Sequence, residues 1–254
     1  VTVTRAWGEE LLLGQGEPVY QGDILETGDE SAIGITFADD STFSLGDGGR
    51  MVLDELIFDA STQEGSSLFS VVQGVFVFVS GEIAEGNPDA MVVRTPVATL
   101  GIRGTKVAGR AAQEGELNTI TLMPDSNGSV GQITVSNSTG AITLQSAFQT
   151  TAVSSSFEAP AQAITLSGSQ ASALFGSVNR VLTRSDNARE TRNQTEDQDS
   201  SSNRSATEVQ GLIVDNVATD NDDGETTVNV GDTESLEDGF EEDDLSVDDF
   251  FDEL

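Results

Sequence analysis

Met91-Val92-Val93-Arg94-Thr95-Pro96-Val97-Ala98-Thr99-Leu100-Gly101-Ile102-Arg103-Gly104-Thr105-Lys106-Val107 is the stretch around which the chain is organised. Met91, Val92 and Val93 form a short apolar run suited to a buried strand. Pro96 has no N–H for a sheet ladder and belongs at a strand start, an edge or a bulge. Gly101 and Gly104 bracket Ile102 and Arg103, and glycines so placed permit a tight bend or a close backbone approach. This predicts a structural corner built from Thr95, Pro96, Gly101, Arg103, Gly104 and Thr105. Arg103 is expected in a buried or half-buried ion pair that ties two strands together. The alternative is that it contacts an anion or a partner. Phosphate cradling is excluded, because a P-loop needs Gly-Lys before Ser or Thr and a following helix. Here the order is Gly104-Thr105-Lys106, and no amphipathic helix follows.

Outward from this corner, strands are predicted over 1–166. Val1 to Thr4 alternates with period two, and Glu10 to Leu13 ends at Gly14. The turn signals Gly22-Asp23 and Thr27-Gly28 leave a very short strand between them. Ile33, Ile35 and Phe37 share a face, Asp39-Asp40-Ser41 is a turn, and Thr42 to Leu45 returns as a hairpin. Gly46 to Gly49 turns again into Met51 to Phe58. Ser67 to Ser80 is the most apolar run, so it is expected at the centre and covered on both faces, with a bulge at Gly74. Gly81 to Pro88 reads as a turn region. Leu117 to Met123, Gly131 to Val135 and Gly140 to Leu144 look like a meander or one edge of a solenoid. Phe148 to Phe157 is less regular, and Ala163 to Leu166 is a last strand.

The period then changes. Ala171, Leu174, Phe175, Val178, Val181 and Leu182 fall at helical spacing, predicting a helix from about Ser169 to Thr183 capped by Ser167 or Ser169. This helix, placed in 167–184, closes or covers the β domain. The expected fold is all-β: a twisted antiparallel sandwich or short β-roll or solenoid of about ten to fourteen strands, then one helix. Residues 185–254 hold more than half of the 44 Asp and Glu and few aromatics, which predicts a largely disordered acidic tail. At its end, Val247, Phe250, Phe251 and Leu254 share one face if helical, the pattern of a peptide that docks in a partner's groove.

Composition narrows the function. With 11 Lys and Arg against 44 Asp and Glu, the formal charge is −33, which repels nucleic acid and anionic lipid and favours cations or basic protein surfaces. Cys is absent, excluding disulfides, thiolate metal sites and Cys nucleophiles. His is absent too, removing the usual general base and the commonest transition-metal ligand. A hydrolase would have to rest on carboxylates alone, for instance Asp23 and Asp40, and any acidic chain offers such pairs. No run approaches a membrane span of about 18 apolar residues. The start at Val1 is read as a processed form or an excised piece. Asp23, Asp39, Asp40 and Asp47 sit at turns where a cation could bind. An EF-hand register over Asn221 to Glu225 places Thr219 first and Val230 last, so both end ligands fail. No cofactor is expected, and calcium only as weak, loose binding by the tail.

Four pieces of the β portion, in order, resemble the FecR-type domain. They are Val19 to Gly28, Ile33 to Ser41 with Phe43 to Leu45, Met51 to Asp54, and Arg94 to Thr105. The last is the most specific, since Thr-Pro followed by Gly-x-Arg-Gly-Thr is unusual by chance. The resemblance spans roughly 15–145 and implies an all-β, non-enzymatic domain. In the family's signalling members this domain relays a transporter's state to a sigma factor from the periplasm. The segments at Leu53 to Glu55 and Phe69 to Ile83 look more like the version in large exported bacterial surface proteins. There it is a structural or interaction module, with a protein partner or self-assembly. The expected location is therefore the cell surface, the exterior or the periplasm.

Overall fold

The computed structural model describes residues 1–182 apart from 63, 87–89 and 126–127. The acidic tail, its C-terminal apolar face and the Asn221 to Glu225 stretch lie outside the described residues. Among the described residues, fifteen strands form one unclosed sheet that folds into two layers. They are β1 (Thr2–Thr4), β2 (Glu10–Leu12), β3 (Ile24–Glu26), β4 (Ile33–Thr36), β5 (Thr42–Leu45), β6 (Arg50–Asp59), β7 (Glu64–Val79), β8 (Met91–Arg94), β9 (Thr99–Arg103), β10 (Lys106–Ala111), β11 (Asn118–Met123), β12 (Gln132–Ser136), β13 (Ala141–Leu144), β14 (Gln149–Val153) and β15 (Ile164–Thr165). A short helix α1 (Glu82–Gly86) follows β7, and a longer helix α2 spans 168–182.

β7 belongs to both layers. Its first half pairs with β6 and β8 in the order β2-β1-β3-β6-β7-β8-β9-β12-β13. Its second half pairs with β5 and β10 in the order β4-β5-β7-β10-β11-β14-β15. Gly74 marks the changeover, with φ of 109° and a register shift against β6 just before it. A strand that bends through a bulge can leave one sheet and enter the other, forming a sandwich corner. A Cβ at Gly74 would also lie 2.6 Å from the Gly49 backbone.

Alternation along β7 then sorts its side chains. Phe69, Phe76 and Phe78 point between the layers and meet Phe43 of β5, with ring centroids 6.1, 5.8 and 5.8 Å from it. Phe37 stacks on Phe69 at 4.8 Å. Val77 faces the other way, onto Phe175, Val178 and Leu182 of α2. The second half of the central strand is therefore covered on both faces, while its first half alternates between buried Phe69 and Val71 and the more open Leu68 and Val72. Ser167 caps α2 in a capping box: Gln170 N–H donates to Ser167 Oγ at 3.2 Å, and Ser167 N–H donates to Gln170 Oε1 at 2.8 Å.

Several elements differ from expectation. The strands number fifteen among the described residues, and one pair, β7 with β8, is parallel. Its crossover carries α1, where only turns were expected. Pro96 sits in the β8–β9 hairpin turn, closed by Thr95 N–H to Ala98 O at 2.9 Å. Pro's fixed φ suits the second position of such a turn. The three alternating segments after the corner do not form one meander. β11 lies in the second layer beside β10 and β14, while β12 and β13 extend the first layer beside β9.

Candidate functional site

The Arg94 to Thr105 stretch has three working parts. Thr95 is buried and its Oγ1 accepts Ala98 N–H at 3.1 Å, holding the hairpin turn in which Pro96 is exposed. Gly101 lies inside β9, paired with Val92 and Thr134, and makes no bend. Gly104, at φ of 52°, turns the chain from the first layer into the second. There Thr105 N–H donates to Ser80 Oγ at 2.8 Å, and Ser80 N–H donates to Thr105 O at 3.2 Å. The corner is thus Gly104-Thr105, one glycine rather than two.

Arg103 corrects the ion-pair expectation. Its side chain is exposed, and it makes no salt bridge among the described residues. It ends β9, where residues alternate between core and solvent, and Ile102 takes the inward place. The buried pair that joins distant segments is Arg5 with Asp23. Arg5 Nη1 lies 2.5 Å from Asp23 Oδ2 and donates to Pro18 O at 3.1 Å. Asp23 Oδ2 also accepts Tyr20 N–H at 2.8 Å, and the Arg5 guanidinium sits 5.0 Å from the Tyr20 ring centroid. Arg5 was missed because a lone Arg in a Val-Thr-Val-Thr-Arg run carries no motif. The signal available was that Asp23, in a Gly-Asp turn, would need a cation.

The other turn aspartates separate. Asp39 is fully buried and its Oδ1 accepts the Ser41 hydroxyl at 2.5 Å and the Ser41 N–H at 3.2 Å. Burial raises its pKa above the ordinary carboxylate value, against the lowering effect of the Ser41 hydrogen bonds. Asp40 is exposed beside it with φ of 62°. Asp47 is exposed at the opposite end of β5. Asp23 belongs to a turn of the other layer. No three acidic side chains come together as a cation cage among the described residues.

What converges is backbone. Gly81 packs so tightly on the Asp39 turn that a Cβ there would lie 2.0 Å from Asp39 O, while Glu82 N–H donates to Asp39 O at 2.8 Å. Gly131 packs equally tightly on the corner, its would-be Cβ 2.1 Å from Arg103 O. The Asp39 turn, α1 and the Gly104 corner therefore share one end of the sandwich. An open cleft of about 510 Å³ lies there, lined by Arg103, Gly104, Gln132 and Gln145 with Ala84 and Val130. One guanidinium and two amides can bind polar groups of another molecule. The cleft holds no carboxylate, hydroxyl nucleophile or metal-ligating group among these residues.

Residues 23–124 match the family described as FecR protein. This stretch is a FecR domain. It runs from the buried Asp23 through the corner to the end of β11, leaving β1, β2, β12 to β15 and α2 outside the match. No curated protein matches the chain. Two crystal structures of a candidate anti-sigma factor from Parabacteroides distasonis are similar, with TM-scores of 0.44 and 0.45 and identities of 15% and 17%. Each similarity covers 59% of this chain, and 63% and 62% of those chains, so this chain spans about three fifths of their length. No helix among the described residues is long and apolar enough to cross a membrane.

Proposed function

We propose that the FecR domain of this chain is a non-enzymatic, protein-binding module that works outside the cytoplasm as one link of a signal relay between a transporter and a sigma factor. The FecR match over residues 23–124 carries this reading. A chain without His or Cys, whose cleft offers an arginine and amides, supports binding over chemistry. In-frame deletion of 23–124 in the native host tests it. Transcripts under one sigma factor should shift together when the transporter's substrate is supplied to wild type, and that shift should vanish in the deletion strain. An unchanged transcript profile overturns the relay.

The net charge of −33 favours a second reading, a structural or assembly module of an exported surface protein. Such strong acidity suits a salty, calcium-containing exterior. Native mass spectrometry across calcium concentrations separates the two: assembly predicts calcium-dependent oligomers, and a relay module stays monomeric.

A further inference from the structure

The first layer ends on β2, which pairs with β1 alone. Leu13 N–H donates to Val1 O at 3.0 Å, and Arg5 N–H donates to Glu9 O at 2.8 Å. With that alternation, the main-chain groups of Glu9, Leu11 and Leu13 face β1. Those of Glu10 and Leu12 face outward and find no strand among the described residues. An open edge is a template for another strand, and folded proteins usually blunt it with Lys, Pro, a bulge or a cover. β2 is short, at three residues, and carries the charge of Glu10, but it holds no Lys, Pro or bulge.

The side chains beside this edge are large and bare. Leu12 is 83% exposed, Trp7 69% and Leu11 39%. Polar contacts tie down Trp7 and the backbone of the hairpin that carries them. Trp7 Nε1 donates to Glu9 Oε2 at 3.0 Å, Gly14 N–H donates to Glu17 Oε2 at 2.7 Å, and the Arg5–Asp23 pair pins the hairpin to the start of β3. Apolar anchors ordered before binding lower the entropic cost of association. The charges name the partner's chemistry. Glu9, Glu10 and Glu17 flank the edge, and the nearby cation, Arg5, is already bound to Asp23. A second copy, with its own acidic flank and a net charge of −33, is repelled.

We propose that β2 receives an added strand from a partner protein, an extended segment that alternates apolar residues with Lys or Arg. This deepens the interaction reading above and rests on it only for the partner's being a protein.

The probe is the synthetic peptide Lys-Val-Lys-Val-Lys-Val-Lys added to the full chain, with Glu-Val-Glu-Val-Glu-Val-Glu as its counterpart. Hydrogen exchange followed by NMR should slow at the Glu10 and Leu12 amides by tenfold or more with the basic peptide at physiological salt. It should not change with the acidic one. Leu12→Pro removes only an outward-facing N–H, so the fold should persist while Glu10 loses its protection. If that variant does not fold, Leu12→Lys replaces a solvent-facing side chain, opposes the basic peptide by like charge and should weaken binding at least tenfold. Protection spread over the acidic chain with none at Glu10, equal binding by the variants, or a peptide-free dimer that protects Glu10 and Leu12 would each overturn the proposal. The transcript experiment reads the relay and not this edge, so the two readings fail separately.

Discussion

Removing the Arg5 side chain leaves Asp23 charged, buried and without its cation. Breaking one side of a buried pair costs about 3–5 kcal/mol, whereas replacing both sides recovers most of the loss. Arg5→Met should therefore destabilise the chain by about 3–5 kcal/mol. Arg5→Met with Asp23→Asn should regain part of it, since Asn still accepts the Tyr20 N–H. Arg103→Ala should stay within about 0.5 kcal/mol, the range of an exposed side chain without a partner. Urea unfolding of the three variants checks this. Asp39 gives a second test at the same scale. Its pKa is raised by burial, so the folded state holds its proton more tightly than the unfolded chain does. That contribution favours folding at acid pH and is lost as pH rises through the folded value. Asp39→Asn keeps the oxygen that accepts from Ser41 and removes the titration. Its urea midpoint, relative to wild type, should improve as pH climbs from below the ordinary Asp value toward 7. A parallel pH dependence in the two proteins would refute this origin.

At the scale of the element, two glycines of the corner exchange the roles their spacing suggests. Gly101 stands in the Gly-x-Arg-Gly-Thr run, yet nothing lies within 4 Å of a Cβ placed on it. Gly131 opens one of the expected alternating segments, and a Cβ there would strike the Arg103 and Gly104 carbonyl oxygens at 2.1 and 2.3 Å. Gly131→Ala should cost about 1–3 kcal/mol through forced backbone shifts. Gly101→Ala should be neutral or stabilise by up to about 1 kcal/mol, because alanine narrows the unfolded ensemble. Thermal unfolding of both variants decides it. This pair shows what was legible in the residues. Period-two runs such as Ile33-Gly-Ile-Thr-Phe37 and the helical stripe of α2 announce their own elements, since local alternation reports which face is buried. Gly74 was readable as a break for the same reason. β9, β10 and β14 were not, because Gly, Arg, Thr and Ala at their positions become strand only through neighbours far along the chain. Gly131's role is wholly tertiary, set by a carbonyl more than twenty residues away. Arg103's motif contains the turn at Gly104-Thr105 but suggests a bend at Gly101 that is not there, and it says nothing about where a flexible side chain ends.

Across the whole molecule, the second layer has two faces to cover and the sandwich covers only one. Val77 and Ala108 lie on its outer face with Val75 and Val79 beside them, and α2 buries them with Phe175, Val178 and Leu182. Ser44 Oγ donates to Val178 O at 2.8 Å, and the absence of a Cβ at Gly46 makes room for Val178, whose Cγ2 would be 2.8 Å away. The helix is therefore part of the fold's core and not an appendage to a self-sufficient β domain ending at Leu166. A chain truncated after Leu166 should expose that valine-rich face, bind a hydrophobic dye and aggregate, because a contiguous bare apolar patch drives association. A chain ending after residue 184 should stay soluble. The milder probe is Phe175→Ala, which keeps the helix but empties its largest anchor and should cost about 3–5 kcal/mol. Size-exclusion chromatography with dye binding on the two truncations, and urea unfolding of the point variant, read this directly. A monomeric, dye-silent fragment ending at Leu166 would mean that the outer face tolerates water, and that α2 is held there for something other than the stability of the sheet.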